Sequence, residues 1–202
     1  MHVLILCGIS VALLALWALC PRAISVVDSN TIGLGRWTAN QLQPLGTIYK
    51  APALGSQAQK TYMYVQFVST GSVDVYDGTP VGFGATTTNG SFYVHGDQSA
   101  VLGVAQHGPA GIIRKSDSTA VTDEYYGWIQ LAQKGEVLDS CAVKTAAAAA
   151  DRVKWASDTI LETTAAFDST EDVIPFGVVL TPAVLGAAPG TTANQLSNVL
   201  VL

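Results

Sequence analysis

Charge is scarce in this chain. Asp, Glu, Lys and Arg together make up 12 % of its 202 residues, against about a quarter in ordinary soluble domains. A body bathed in water normally carries more charge than that, for solubility. The net charge is −5, and no cluster of Lys or Arg occurs anywhere. Nucleic-acid binding needs a concentrated basic footprint, so that class is excluded. Cysteine is scarce too. Of the three, Cys7 and Cys20 lie in or beside an N-terminal apolar run and Cys141 stands alone. No C-x-x-C pair exists, so no zinc, redox or disulfide framework is signalled, and free thiols in a reducing compartment are expected.

Groups that run reactions are equally thin. Three histidines are present. His2 is terminal, and His95 and His107 lack metal-motif spacing. A site drawn from His95, His107, Asp97 and Asp117 is weaker than reading these as strand-end and loop residues. No G-x-S-x-G elbow occurs, and Cys141 has no histidine near it in sequence. The acids are scattered in the manner of a solvated face, although a carboxylate pair across a cleft is not visible in sequence. Gly33-Leu34-Gly35 and Gly82-Phe83-Gly84 lack the third glycine and the strand-to-helix setting of a phosphate loop. We therefore expect no catalytic residue, no cofactor and no metal ligand.

What is abundant is apolar: 49 % of residues are hydrophobic and 19 are glycine. Low charge with many small residues fits a surface covered by neighbours; it also fits a secreted or cell-surface β protein. Residues 3–19 are almost unbroken hydrophobe, at the short limit for crossing a bilayer. Met1-His2 lacks the positive start of a signal peptide, and Leu19-Cys20-Pro21-Arg22-Ala23 is a poor cleavage site. Two readings stand: an arm buried at a subunit interface, with Leu16 and Trp17 as contacts, or a membrane or signal segment. Membrane association is left open on this account.

Residues 21–60 are broken too often by Gly, Pro and Asn for a long element, with Thr47–Lys50 as a short strand. We read residues 1–60 as a hydrophobic arm and extended segment, and residues 61–202 as a β-rich body. From Thr61 strands recur about every ten residues between turn signals such as Asp77-Gly78, as in a sandwich or barrel. The expected strands include Tyr62–Val68, Val73–Tyr76, Val81–Gly84, Ser91–His95, Tyr125–Leu131, Thr159–Thr164, Val173–Leu180 and Asn198–Leu202. Residues 145–155, with five successive alanines, have the best helix propensity in the chain but strand-like flanks; helix and strand are evenly weighted there. Pro182, Gly186, Pro189 and Gly190 read as a loop. The fold class is thus all-β, a β-sandwich or β-barrel of short strands with an extended arm and at most one short helix. The Gly103 and Gly177 strands, each followed by a Pro/Gly-rich loop, hint at two related β units. Tyr125, Tyr126 and Trp128 are the preferred interface residues of the body.

Residues 61–180 resemble the head-decoration, or capsid cement, proteins of tailed bacteriophages. The resemblance is carried by Tyr64-Val65-Gln66, Val101-Leu102-Gly103-Val104-Ala105, Tyr126-Gly127-Trp128-Ile129-Gln130 and Phe176-Gly177-Val178-Val179. It implies a β body on the outside of the major capsid lattice, with the major capsid protein and neighbouring copies of itself as partners; a trimer would suit threefold points. The apolar residues 3–19 depart from that pattern. The alternative is a membrane-anchored or secreted β-sandwich adhesin, and a third class is a hydrolase with a cryptic carboxylate site.

Overall fold

A computed structural model describes residues 33–51, 59–69, 74–84, 92–97, 109–144, 147–157, 160–163, 176–180, 184–187 and 194–202. The Gly103 strand and the apolar run with Leu16 and Trp17 lie outside the described residues. Among those described, the chain is all-β. The first strands are β1 (Ile48–Ala51), β2 (Lys60–Phe67), β3 (Pro80–Phe83), β4 (Tyr93–His95), β5 (Gly111–Ile113) and β6 (Tyr126–Leu131). They are followed by β7 (Val137–Lys144), β8 (Arg152–Ser157), β9 (Ile160–Thr163), β10 (Gly177–Val179), β11 (Val184–Ala187) and β12 (Asn194–Val201).

Each half closes on itself. In the first, the order runs β2-β4-β3-β5-β6, and β6 returns to pair with β2. That is a five-stranded barrel, with β1 added along the start of β2. In the second, β7-β9-β8-β10-β12 closes through β12 onto β7, with β11 added to β12. Closure removes the open edges that short apolar strands would otherwise present.

The two barrels are one topology used twice. β2 pairs parallel with β4 and β7 parallel with β9, and the remaining four pairings of each ring are antiparallel. The register repeats as well. Val81 faces Gly111 and Val153 faces Gly177; Gly111 faces Leu131 and Gly177 faces Val201. Ala110 N–H donates to Val81 O (2.8 Å), and Phe176 N–H to Val153 O (2.8 Å). Ala132 N–H donates to Ala110 O, and Leu202 N–H to Phe176 O. Gly111 and Gly177 are equivalent for a steric reason: a Cβ at Gly111 would strike Gln130 O, and one at Gly177 would meet Leu200 O at 2.7 Å. The two related units expected from sequence are present, but the described glycine that corresponds to Gly177 is Gly111.

Matching positions fill matching cores. Val65, Phe67, Val81, Val94, Ile113, Ile129 and Leu131 lie in the first; Cys141, Val143, Val153, Leu161, Val179, Val199 and Val201 take their places in the second. These side chains point inward at alternate residues, as the pleat requires. In β2 the outward residues Tyr62 and Tyr64 are buried too, because residues 33–51 cover that side.

Three local expectations are revised. Ala148–Asp151 form a tight turn, with Asp151 N–H donating to Ala148 O, and Arg152–Ser157 form β8, so there is no helix in the described part of 145–155. Alanine propensity loses here to a turn clamped by Asp151 and to the barrel's demand for a strand. Asp74–Tyr76 belong to no strand, and Val73 lies outside the described residues. Val184–Ala187, read as loop around Gly186, pair with β12 across an irregular register.

Candidate interface surfaces

The strand around Trp128 carries an aromatic face on the outside of the first barrel. Period-two alternation sends Ile129 and Leu131 inward, and Tyr126, Trp128 and Gln130 outward. Across the ladder Trp128 faces Tyr64. Their rings meet edge-on at 5.2 Å and 65°, and Tyr49 of β1 adds a second edge contact to Trp128 at 6.5 Å. Tyr62 stacks on Tyr49 at 6.2 Å. Such edge and offset pairs are favourable beyond the area they bury.

This face is covered by the chain itself. Leu34, Leu45, Tyr49 and Ala51 pack on Tyr62, Tyr64 and Trp128. Thr38 forms a bridge to Tyr126 through two backbone hydrogen bonds (3.0 and 2.8 Å). Leu42 N–H donates to the Tyr64 hydroxyl at 3.0 Å, and Trp37 Nε1 donates to Arg114 O at 2.8 Å. Trp128 is 4 % exposed, so its partner is the segment 33–51. Tyr126 is half-buried on the same cluster, and Tyr125 is half-buried against the core of the first barrel. The three interface candidates of the body are therefore neighbours in sequence that serve two different packing sites.

A second surface joins the barrels. Lys134-Gly135 looks like a hairpin turn, yet it carries the chain from the first barrel to the second. Gln130 is fully buried there and holds β7 with both ends of its amide: Nε2 donates to Val137 O (2.7 Å), and Oε1 accepts from Asp139 N–H (3.4 Å). Arg114 Nη1 donates to Asp139 O (2.9 Å), while its Nε lies 3.7 Å from Asp77. Lys60 pairs with the Asp139 carboxylate, and Thr61 Oγ1 donates to Glu136 (2.9 Å). Ala142 N–H donates to Gly78 O (2.9 Å), and Ile112 and Ala132 pack onto the second core. Burial pushes the Asp77 carboxyl above the usual carboxylate range, and Arg114 pulls it part of the way back. Burial likewise raises the Tyr62 phenol, against the pull of Arg114. Apart from Glu136 Oε2, which is buried without a hydrogen-bond partner, these groups are paired across the seam, which favours one arrangement of the barrels.

The residues drawn into a catalytic alternative are placed apart in role. His95 is buried in β4 with Nδ1 2.7 Å from Val68 O. Asp117 sits on an exposed tip, where pairing with Lys115 and bonds from Thr119 hold its carboxyl far below the usual range. Cys141 is buried in the second core, which pushes its thiol up to about 12. His107 lies outside the described residues. Among the described residues no group of three or more His, Cys, Asp and Glu side chains could hold a metal ion. Among them, too, no helix is long and apolar enough to cross a membrane.

No family model matches the chain, and no curated protein matches it. Among solved structures the chain is similar to the head fiber gp8.5 N base of bacteriophage phi29. That similarity spans 70 % of this chain and 94 % of the other, at 9 % identity and a TM-score of 0.40. A likeness that slight carries no argument about this protein.

Sequence reasoning missed Gln130 and Arg114 as the residues that join the barrels, Leu34 as cover for the aromatic face, and Trp37, which packs over Gly127 with the core of the first barrel. One signal was present: Gln130 is a polar side chain in an otherwise apolar strand, a position that demands a hydrogen-bond partner once buried.

Proposed function

We propose that the chain is a non-enzymatic virion structural protein, a capsid cement or decoration subunit that binds the outside of the major capsid lattice. Its partners on this reading are the major capsid protein and neighbouring copies of itself, and its location is the capsid surface. The observation that carries it is the tandem of closed barrels locked by a buried polar seam, with aliphatic residues on outward strand faces. A clip that spans subunits of a pressurised shell needs a rigid body, covered edges and low charge where it is covered. The resemblance of residues 61–180 to phage head-decoration proteins supports the same reading. So does the poverty of charge, which suits a surface buried by neighbours.

The test is fractionation of the native source. The chain should co-sediment with particles through a density gradient, and purified chain added to undecorated shells should raise the temperature at which they rupture. Recovery with membranes from a detergent-free lysate, or free in the medium without particles, would sink the proposal.

A further inference from the structure

We propose that the chain associates head to tail, the outer face of the second barrel docking on residues 33–51 of a second copy. The proposal does not depend on the capsid reading. It rests on the equivalence of the two barrels. The first barrel docks on the second through four outward positions on its last two strands and their ends: Ile112, Arg114, Gln130 and Ala132. The matched registers make Val178, Leu180, Leu200 and Leu202 their equivalents. One ladder bond shows it directly: Arg114 N–H donates to Trp128 O (3.2 Å), and Leu180 N–H to Asn198 O (2.8 Å).

In the first barrel these positions are covered by β7 and the second core. In the second barrel all four are aliphatic. Val178 and Leu200 are half-buried, while Leu180 and Leu202 are 44 % and 48 % exposed. An outward strand face in water normally alternates to polar residues; four aliphatics in one patch mark a contact surface. Where the first barrel uses an amide and a guanidinium to hold its partner, this face offers only apolar area, so its partner surface is apolar too.

Residues 33–51 offer apolar area at two exposed aliphatics, set among exposed Arg36, Asn40, Gln41, Gln43 and Lys50. The side of the second barrel that receives the first is the β7 face. The corresponding side of the first barrel is the β2 face of Tyr62 and Tyr64, covered by residues 33–51 and β1. The outer side of that cover carries Leu42 and Ile48, 58 % and 45 % exposed. Among the described residues the large exposed hydrophobics are thus two on each of two surfaces, which the repeat relation makes donor and acceptor. Two different patches in one contact give a heterologous association, which closes into a ring or continues as a chain of subunits.

Sedimentation velocity of the full chain tests this with two variants, Leu180→Lys/Leu202→Lys and Leu42→Glu/Ile48→Glu. All four positions are exposed enough to keep the fold, which circular dichroism checks; a disulfide formed between copies of an Ile48→Cys/Leu180→Cys chain gives an independent readout. The unaltered chain should sediment as a multimer, each variant alone as a single chain, and their equimolar mixture as two chains, because each variant keeps one working face. A wild-type single chain at every concentration overturns the proposal. So does a variant that keeps the wild-type mass, which would assign association to another segment such as residues 3–19. Two single-chain variants that do not pair on mixing would replace head-to-tail contact by a symmetric one.

Discussion

Gly78 and Ala150 occupy one position in two copies of the same turn. Their φ angles are +81° and +72°, and their N–H groups donate to Ile113 O and Val179 O at 2.9 and 2.8 Å. The side chain that follows clamps each turn: Thr79 Oγ1 accepts from Tyr76 N–H (2.9 Å), and Asp151 Oδ2 from Ala148 N–H (2.7 Å). The left-handed region costs a non-glycine residue about 1–2 kcal/mol, partly offset by glycine's greater freedom when unfolded. Ala150→Gly should therefore stabilise the chain by about 0.5–1 kcal/mol. Gly78→Ala should destabilise it by at least ~2 kcal/mol, since strain adds to a Cβ driven into Ser140 O. Urea midpoints of the two variants check the opposite signs.

Cys141 predicts a sensitivity to alkali. The folded thiol is pushed up to about 12, from an ordinary value of 9.0. Between those values the unfolded chain gives up the proton and the folded chain does not. The stability tied to the neutral thiol is complete below 9.0 and is lost as pH rises toward about 12, by ~1.4 kcal/mol per pH unit. Cys141→Val, which installs the residue found at the matching position 65 of the first barrel, should abolish that slope. The wild-type minus variant stability, from urea unfolding at several pH values above 9.0, should fall steadily; a flat difference would contradict the burial argument.

Gln130→Leu places in the first barrel the residue the second has at the matching position 200. It leaves Val137 O and Asp139 N–H at the seam without their amide partner, at a cost of about 1–3 kcal/mol. Each barrel keeps its own ladder, so the expected result is loosened coupling. Hydrogen exchange at the Asp139 amide should quicken, and the calorimetric transition should broaden or split.

The cover of the aromatic face is tested in two steps. Trp128→Ala removes a large side chain from between Tyr64 and Tyr49 and should cost about 3–5 kcal/mol. Tyr64→Phe removes only the hydroxyl that accepts from Leu42 N–H, at about 1 kcal/mol. Limited proteolysis should find new cleavage within residues 33–51 in the first variant and little change in the second.

The strands were legible because their signal is local. Aromatic and β-branched runs between turn pairs such as Asp77-Gly78 mark β2, β3, β4 and β6 within a residue or two. The turn before β8 was not legible. Tyr76-Asp77-Gly78-Thr79 and Ala148-Ala149-Ala150-Asp151 share no residue, yet they fold alike because their hydrogen-bond partners on β5 and β10 are alike. The duplication was half visible: Gly-Ile-Ile at 111 and Gly-Val-Val at 177 are similar, but their equivalence is fixed by pairing, Gly111 facing Val81 and Leu131 as Gly177 faces Val153 and Val201.

By itself the sequence determined an all-β chain, poor in charge, without motifs for metal, phosphate or nucleophilic chemistry. Composition and period-two patterning depend on residue type and near neighbours, which sequence displays. Tertiary structure decided that the strands close into two barrels. It decided that Trp128 faces the chain's own residues 33–51, that Gln130 holds the barrels together, and that Val178, Leu180, Leu200 and Leu202 face outward. Those outcomes depend on which strand edge finds which, and pairing between segments distant in sequence is set by the closed ladder and its register, which no local pattern encodes.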